Sequence, residues 1–127
     1  MALAYHEPPD ELSAEARDMH RALSSTIEEL EAVAWYHQRA EVCADEGLRA
    51  ILLHNRDEEI EHAVMGLEWI RRRIPKFDEE LRTYLFTSGP IHALEAEATG
   101  DTTGEKTGEA KPAASSSAGM GIGKFTK

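Results

Sequence analysis

The chain has 127 residues, the size of one small domain. Its 24 acidic residues outnumber 14 basic ones, giving a formal net charge of −10. That sign argues against nucleic acid and against an anionic membrane surface as partners, because both are bound through basic faces. The single cysteine, Cys43, excludes an intrachain disulfide, and no apolar run approaches the roughly 20 residues of a bilayer span. The opening MALAYHEPPDEL lacks the basic start and apolar stretch of a secretory signal, so the expected compartment is the cytoplasm.

In chain order the first 98 residues read as all-α. Alternating β-branched runs and Asn-Gly hairpin signals are absent, and prolines stand only at positions 8, 9, 75, 90 and 112. The first proline-free stretch predicts a helix from about Asp10 to Val42, behind Pro8 and Pro9. The second predicts a helix that starts at Asp45 as N-cap and ends before Pro75. The link between them is short, so the two helices form an antiparallel hairpin. A shorter helix, about Lys76 to Phe86, precedes the breaker Ser88-Gly89-Pro90, and a last helical turn or two covers Ile91 to Ala98. A hairpin leaves its apolar face uncovered, so the chain is expected to dimerise into a four-helix bundle.

Composition changes near Ala98. Residues 1–98 carry a net charge of −11, whereas residues 99–127 carry +1 and six of the nine glycines. The polar segment 99–118 has too little apolar surface to offset its ordering entropy and reads as a flexible linker. At its end, GMGIGKFTK (119–127) returns Met120, Ile122 and Phe125 among glycines. An apolar motif on a tether reads as a docking peptide; the bland alternative is a frayed terminus.

On a helical wheel at about 100° per residue, Leu12, Met19, Leu23, Leu30 and His37 fall on one line, with Ile27 and Val33 flanking it. Glu29 and Tyr36 lie in register at the edge of this stripe, and Glu28, Glu31 and Trp35 lie on the opposite side. The stripe of the second helix is Leu48, Ile51, Leu52, Asn55, Glu59, His62, Ala63, Gly66, Trp69 and Ile70. Its middle is polar. A lone carboxylate on a core face costs several kcal/mol, roughly, so Glu59 requires a partner there. His62, three residues on, projects beside it. Glu58 and Glu61 fit a solvated charge run; Glu59 and His62 do not if the stripe is the core.

Glu-x-x-His on an inward helix face is the repeated element of di-iron carboxylate bundles, where two helices each add a further Glu. Carboxylates with one imidazole suit iron or manganese. One Glu-bearing helix and one Glu-x-x-His helix make half a site. A two-fold dimer completes the ligand set and covers the apolar face together. The residues alone leave open a catalytic centre, a non-catalytic metal buffer or structural metal that staples the dimer, and a plain helical interaction protein.

The blocks EELEAVAWYHQR (28–39), ILLHNRDEEIEHAVMGLEWIRR (51–72) and LRTYLFTSGPI (81–91) resemble the encapsulated ferritin family over roughly residues 6–96. That resemblance implies a ferroxidase, oxidising Fe²⁺ with O₂ at a di-iron centre between two subunits, with dimers arranged as a ring-shaped decamer inside an encapsulin nanocompartment that stores the iron. It implies Glu29, Glu59 and His62 as iron ligands and Tyr36 as the tyrosine beside the centre. It implies Glu28, Glu31 and Trp35 as a flanking metal-uptake site. GMGIGKFTK is similar to encapsulin targeting peptides, with Lys124-Phe125 where Ser-Leu is common. Among the rest, His37 reads as an interface histidine, His54 as surface, Met65 and Trp69 as packing residues, and Cys43 as an exposed loop thiol.

Overall fold

The computed structural model describes residues 3–100. Four helices follow a 3₁₀ turn at Pro9–Glu11: α1 (Ala14–Val42), α2 (Glu46–Arg71), α3 (Pro75–Tyr84) and α4 (Ile91–Thr99), with no strand among the described residues. The fold is all-α, of the ferritin-like helical kind. No helix of the described residues is long and apolar enough to cross a membrane.

Each helix begins where local chemistry satisfies its free N–H groups. α1 starts four residues later than the prolines suggest, because Pro9–Glu11 closes its own turn and Leu12 is extended. Ser13 is the true cap, its Oγ accepting from the Ala16 N–H at 3.0 Å. Asp45 caps α2 as expected, Oδ1 accepting from the Leu48 N–H at 2.7 Å. α3 takes Pro75 at its first position, where the missing N–H costs nothing. α3 ends at Tyr84 rather than at Phe86, which sits in left-handed backbone at φ 57°. α4 runs to Thr99 and is closed by Gly100 at φ 72°.

α1 and α2 form the hairpin. Thr26 meets Gly66, Glu29 meets His62, and His37 meets Arg56. Partner numbers fall as α1 rises, so the pair is antiparallel. Ala40, Ala63 and Ile70 are the buried core. The small side chains at 40, 63 and 66 let the helices approach closely, at the expense of apolar volume between them.

The apolar stripe of α1 is therefore divided. Thr26, Glu29, Val33 and Tyr36 are half-buried and Ala40 is buried, whereas Leu30, at the predicted centre, is 56% exposed and His37 is also open. Glu29 and Tyr36 thus belong to the hairpin seam and not to the stripe's edge. The wheel averages two apolar faces, one used inside the chain and one left bare. On α2 the bare face includes Ile51, 57% exposed, with Leu48 and Met65. Among the described residues Met65 is 56% exposed and not packed into a core. Trp69 is half-buried beneath the Arg73 guanidinium, 3.5 Å from its ring centre. The predicted linker and docking peptide lie outside the described residues, apart from Thr99 and Gly100.

An ionic clamp fixes α3 against α2. Glu68 takes both Nε and Nη2 of Arg71, at 2.6 and 2.7 Å, and Nε of Arg72 at 3.2 Å. Arg71 also pairs with Asp78 of α3, which accepts from Arg82 at 2.9 Å. The Arg71 bonds, then Arg72, hold the Glu68 carboxyl down at about 2, and Arg82 and Arg71 hold Asp78 below its ordinary range. Folded values below unfolded ones mean that the clamp stabilises fully above the ordinary carboxylate value of 4.5 and is lost as pH falls through about 2. The melting-temperature gap between wild type and Arg71→Gln should therefore hold steady above pH 4.5 and close towards pH 2, as followed by circular dichroism.

Candidate metal centre

Glu29 projects from the middle of α1; Glu59 and His62 project from one face of α2, a single turn apart. The antiparallel pairing brings the three together. One ligand-type atom from each lies within 4.8 Å of the other two. His62 Nδ1 is 3.2 Å from Glu59 Oε2 and 4.0 Å from Glu29 Oε2. Among the described residues, no other group of three His, Cys, Asp or Glu side chains converges this way.

The electrostatics are those of two carboxylates and an imidazole held close together. The Glu29 carboxyl is raised, first by its hydrogen bond to Glu59, then by burial and by the Glu59 charge. Glu59 is lowered, because it accepts from Glu29 and from His62. His62 is raised, chiefly by its bond to Glu59. Carboxylate oxygens with one imidazole are a donor set that fits iron or manganese.

The triad is open on one side. Side-chain exposure is 30% for Glu29, 23% for Glu59 and 46% for His62. The carboxylates face the seam and His62 faces outward, on the side of the uncovered stripe.

The remaining predicted residues stay apart from the triad. Tyr36 is half-buried two turns beyond Glu29, with the Arg39 guanidinium 5.6 Å from its ring centre. Glu28 is exposed and accepts from Ser24 Oγ at 3.5 Å; Glu31 is half-buried; Trp35 is exposed beside Gln38 and Arg39. These three lie on the outer surface of α1. His54 is exposed, 3.9 Å from Glu58. His37 Nδ1 lies 3.4 Å from Arg56 Nη1, and His20 stacks on Tyr5 at 4.0 Å. The Cys43 thiol is half-buried and directed at the Asp45 carbonyl, not free in the loop. A groove of about 620 Å³ between α2 and α3 is lined by Val64, Leu67, Leu81 and Phe86 among others, and shares no residue with the triad.

Sequence reasoning placed Gly66 on the α2 stripe without seeing its contact. An interior helical glycine is itself the signal, since its cost to the helix calls for a packing reason.

Residues 4–88 match the EncFtn-like family. The chain belongs to that family. Glu29, Glu59 and His62 all fall within the matched EncFtn-like span. Among relatives, a "Ferritin-like protein" of Thermotoga maritima is 60% identical over 100 residues, covering 79% of this chain and 88% of the relative. An "Encapsulated ferritin-like protein" of Rhodospirillum rubrum is 54% identical over 120 residues, 94% of this chain and 86% of the relative. The crystal structure of protein ne0167 from Nitrosomonas europaea superposes with a TM-score of 0.68 at 64% identity, over 69% of this chain and 97% of that one.

Proposed function

We propose that the chain is a ferroxidase that takes Fe²⁺ as substrate and O₂ as electron acceptor, at a di-iron centre formed between two subunits. One observation carries the reading: Glu29, Glu59 and His62 converge on the open side of the hairpin, beside an apolar face that stays exposed among the described residues. Family membership and the relatives' names support it.

One chain supplies two carboxylates and one imidazole, which leaves an iron ion short of ligands and the apolar face bare. A two-fold copy supplies the same again and covers that face. Four carboxylates then carry a charge of −4, which offsets two Fe²⁺ ions. Glu59 would be the bridging carboxylate, supported by its place between Glu29 and His62 in one chain. His62 would bind as neutral imidazole, so metal binding would favour its uncharged form and weaken at low pH. Iron at such a centre gives one electron per ion to O₂, and carboxylate oxygens favour the harder Fe³⁺ product. Tyr36 flanks the centre. Glu28, Glu31 and Trp35 gather Fe²⁺ from the acidic outer surface.

The proposed assembly is a dimer that completes the site, with dimers closed into a ring-shaped decamer. The proposed setting is the interior of an encapsulin nanocompartment in the cytoplasm, where the shell stores the oxidised iron. The match to the Rhodospirillum rubrum relative spans 94% of this chain, so it extends past Gly100.

Native mass spectrometry tests the two-chain site. Fe²⁺ added without O₂ should shift the protein to metal-bearing dimers and larger rings, and Glu59→Ala should blunt that shift. A metal-loaded monomer as the end state overturns it. O₂ admitted afterwards should be consumed. Iron binding with no O₂ consumption identifies a structural metal in place of a catalyst.

A further inference from the structure

Glycine inside a helix costs about 1 kcal/mol relative to alanine. Gly66 lies inside the 26-residue α2, so its presence there asks for a tertiary reason. The structure supplies one. A Cβ placed on Gly66 would overlap Oγ1 of Thr26, 3.4 Å from the Thr26 Cβ and 3.9 Å from its Cα. Thr26 is not free to turn aside, because its hydroxyl donates to the Ala22 carbonyl at 2.8 Å. The backbones of α1 and α2 therefore approach at this point as closely as a missing side chain allows.

The position of this contact matters as much as its tightness. Gly66 is one turn beyond His62 on α2, and Thr26 is one turn before Glu29 on α1. The contact is next to the triad on both helices. Glu29 is the ligand-type residue that must reach across, and its oxygen is already 4.0 Å from His62 Nδ1. Metal–ligand distances tolerate only about 0.2 Å of error. A small increase in helix separation here removes Glu29 from the group while leaving Glu59 and His62 together on α2.

We propose that Gly66 and Thr26 are positioning residues for the metal centre: their close approach sets the α1–α2 separation at which Glu29 can share an ion with Glu59 and His62. The inference rests on the metal reading of that triad. Neither residue touches the ion.

The test uses the full-length chain and Mn²⁺, which remains divalent in air and whose free-ion paramagnetic resonance signal is lost on binding. Circular dichroism is recorded beside it. Gly66→Ala is favourable for the helix, so helix content should persist while the Mn²⁺ dissociation constant rises at least about tenfold, the scale set by losing the support of a ligand. Thr26→Ala in the Gly66→Ala background removes the overlapping Oγ1 and should restore binding. Thr26→Val in that background keeps the bulk and should leave the loss in place. Thr26→Leu alone enlarges the opposite side of the contact and should reproduce the loss with Gly66 intact.

Wild-type binding that is absent, or unaffected by Glu29→Ala and Glu59→Ala, overturns the metal reading itself. Triad-dependent binding that Gly66→Ala leaves unchanged overturns the positioning inference and leaves the metal reading standing. A loss that Thr26→Ala does not restore also overturns it. Unfolding of both Gly66→Ala and Thr26→Leu makes the contact a condition of folding and overturns it as well.

Discussion

Glu59→Ala is expected to lower the Fe²⁺ oxidation rate by at least about 100-fold, since even loss of a ligand's hydrogen-bonding support costs 10–100-fold in metal sites. In the proposed two-chain arrangement every substitution counts twice, because one change would remove two ligands from each centre. Glu29→Ala and His62→Ala should also be severe. Glu59→Ala should be the worst of the three, because Glu59 is the proposed bridge. Glu58→Ala is the control: Glu58 is exposed, one residue away, and outside the converging group. The measurement is stopped-flow absorbance of the ferric product with O₂ consumption recorded in parallel. Normal rates in all three ligand variants place the centre elsewhere. An equal loss in Glu58→Ala points to general damage to α2 and not to ligand removal.

The helices are legible because proline and capping residues punctuate them, and Asp45 is recognisable as a cap from its sequence context alone. The start of α1 was not, since two prolines and an aspartate also make a good 3₁₀ turn and Ser13 had to be weighed against them. The Glu59–His62 pair stood out because charge on an apolar stripe is expensive. Glu29 did not stand out on periodicity. A wheel adds every apolar residue into one direction, and α1 serves two: the seam through Ala40 and the bare flank through Leu30. Their resultant falls between them and leaves Glu29 at an apparent edge. Resemblance to known proteins supplied that residue where periodicity failed. The Gly66–Thr26 contact was beyond reach for a different reason. Which glycine meets which side chain depends on the register of the two helices, and that register is set by the three-residue link and the packing of Ala63 and Ile70, not by any local pattern.

Deletion of residues 119–127 should leave ferroxidase activity and ring assembly intact and abolish co-purification with a co-expressed encapsulin shell. The argument is one of composition and valency. Residues 99–118 carry too little apolar surface for a core of their own, so the proposal gives them the role of spacer, and large apolar residues return only at Met120, Ile122 and Phe125. Three small anchors, set among glycines that let the backbone lie close to a partner, make a weak contact singly. The proposed ring would present many such peptides to a shell that offers many sites, and that multiplicity would raise the effective affinity by roughly 10²–10⁴. Two consequences separate this address from a contact made by the folded domain. The nine residues fused to an unrelated soluble protein should direct it into the shell. Ile122→Asp, which puts a charge into the central anchor, should cut loading as severely as the deletion does. A truncated protein that loads normally, together with a fusion that stays outside, assigns recognition to the helical domain. In that case the apolar groove between α2 and α3, with Phe86 standing exposed at its rim, is the surface to alter next.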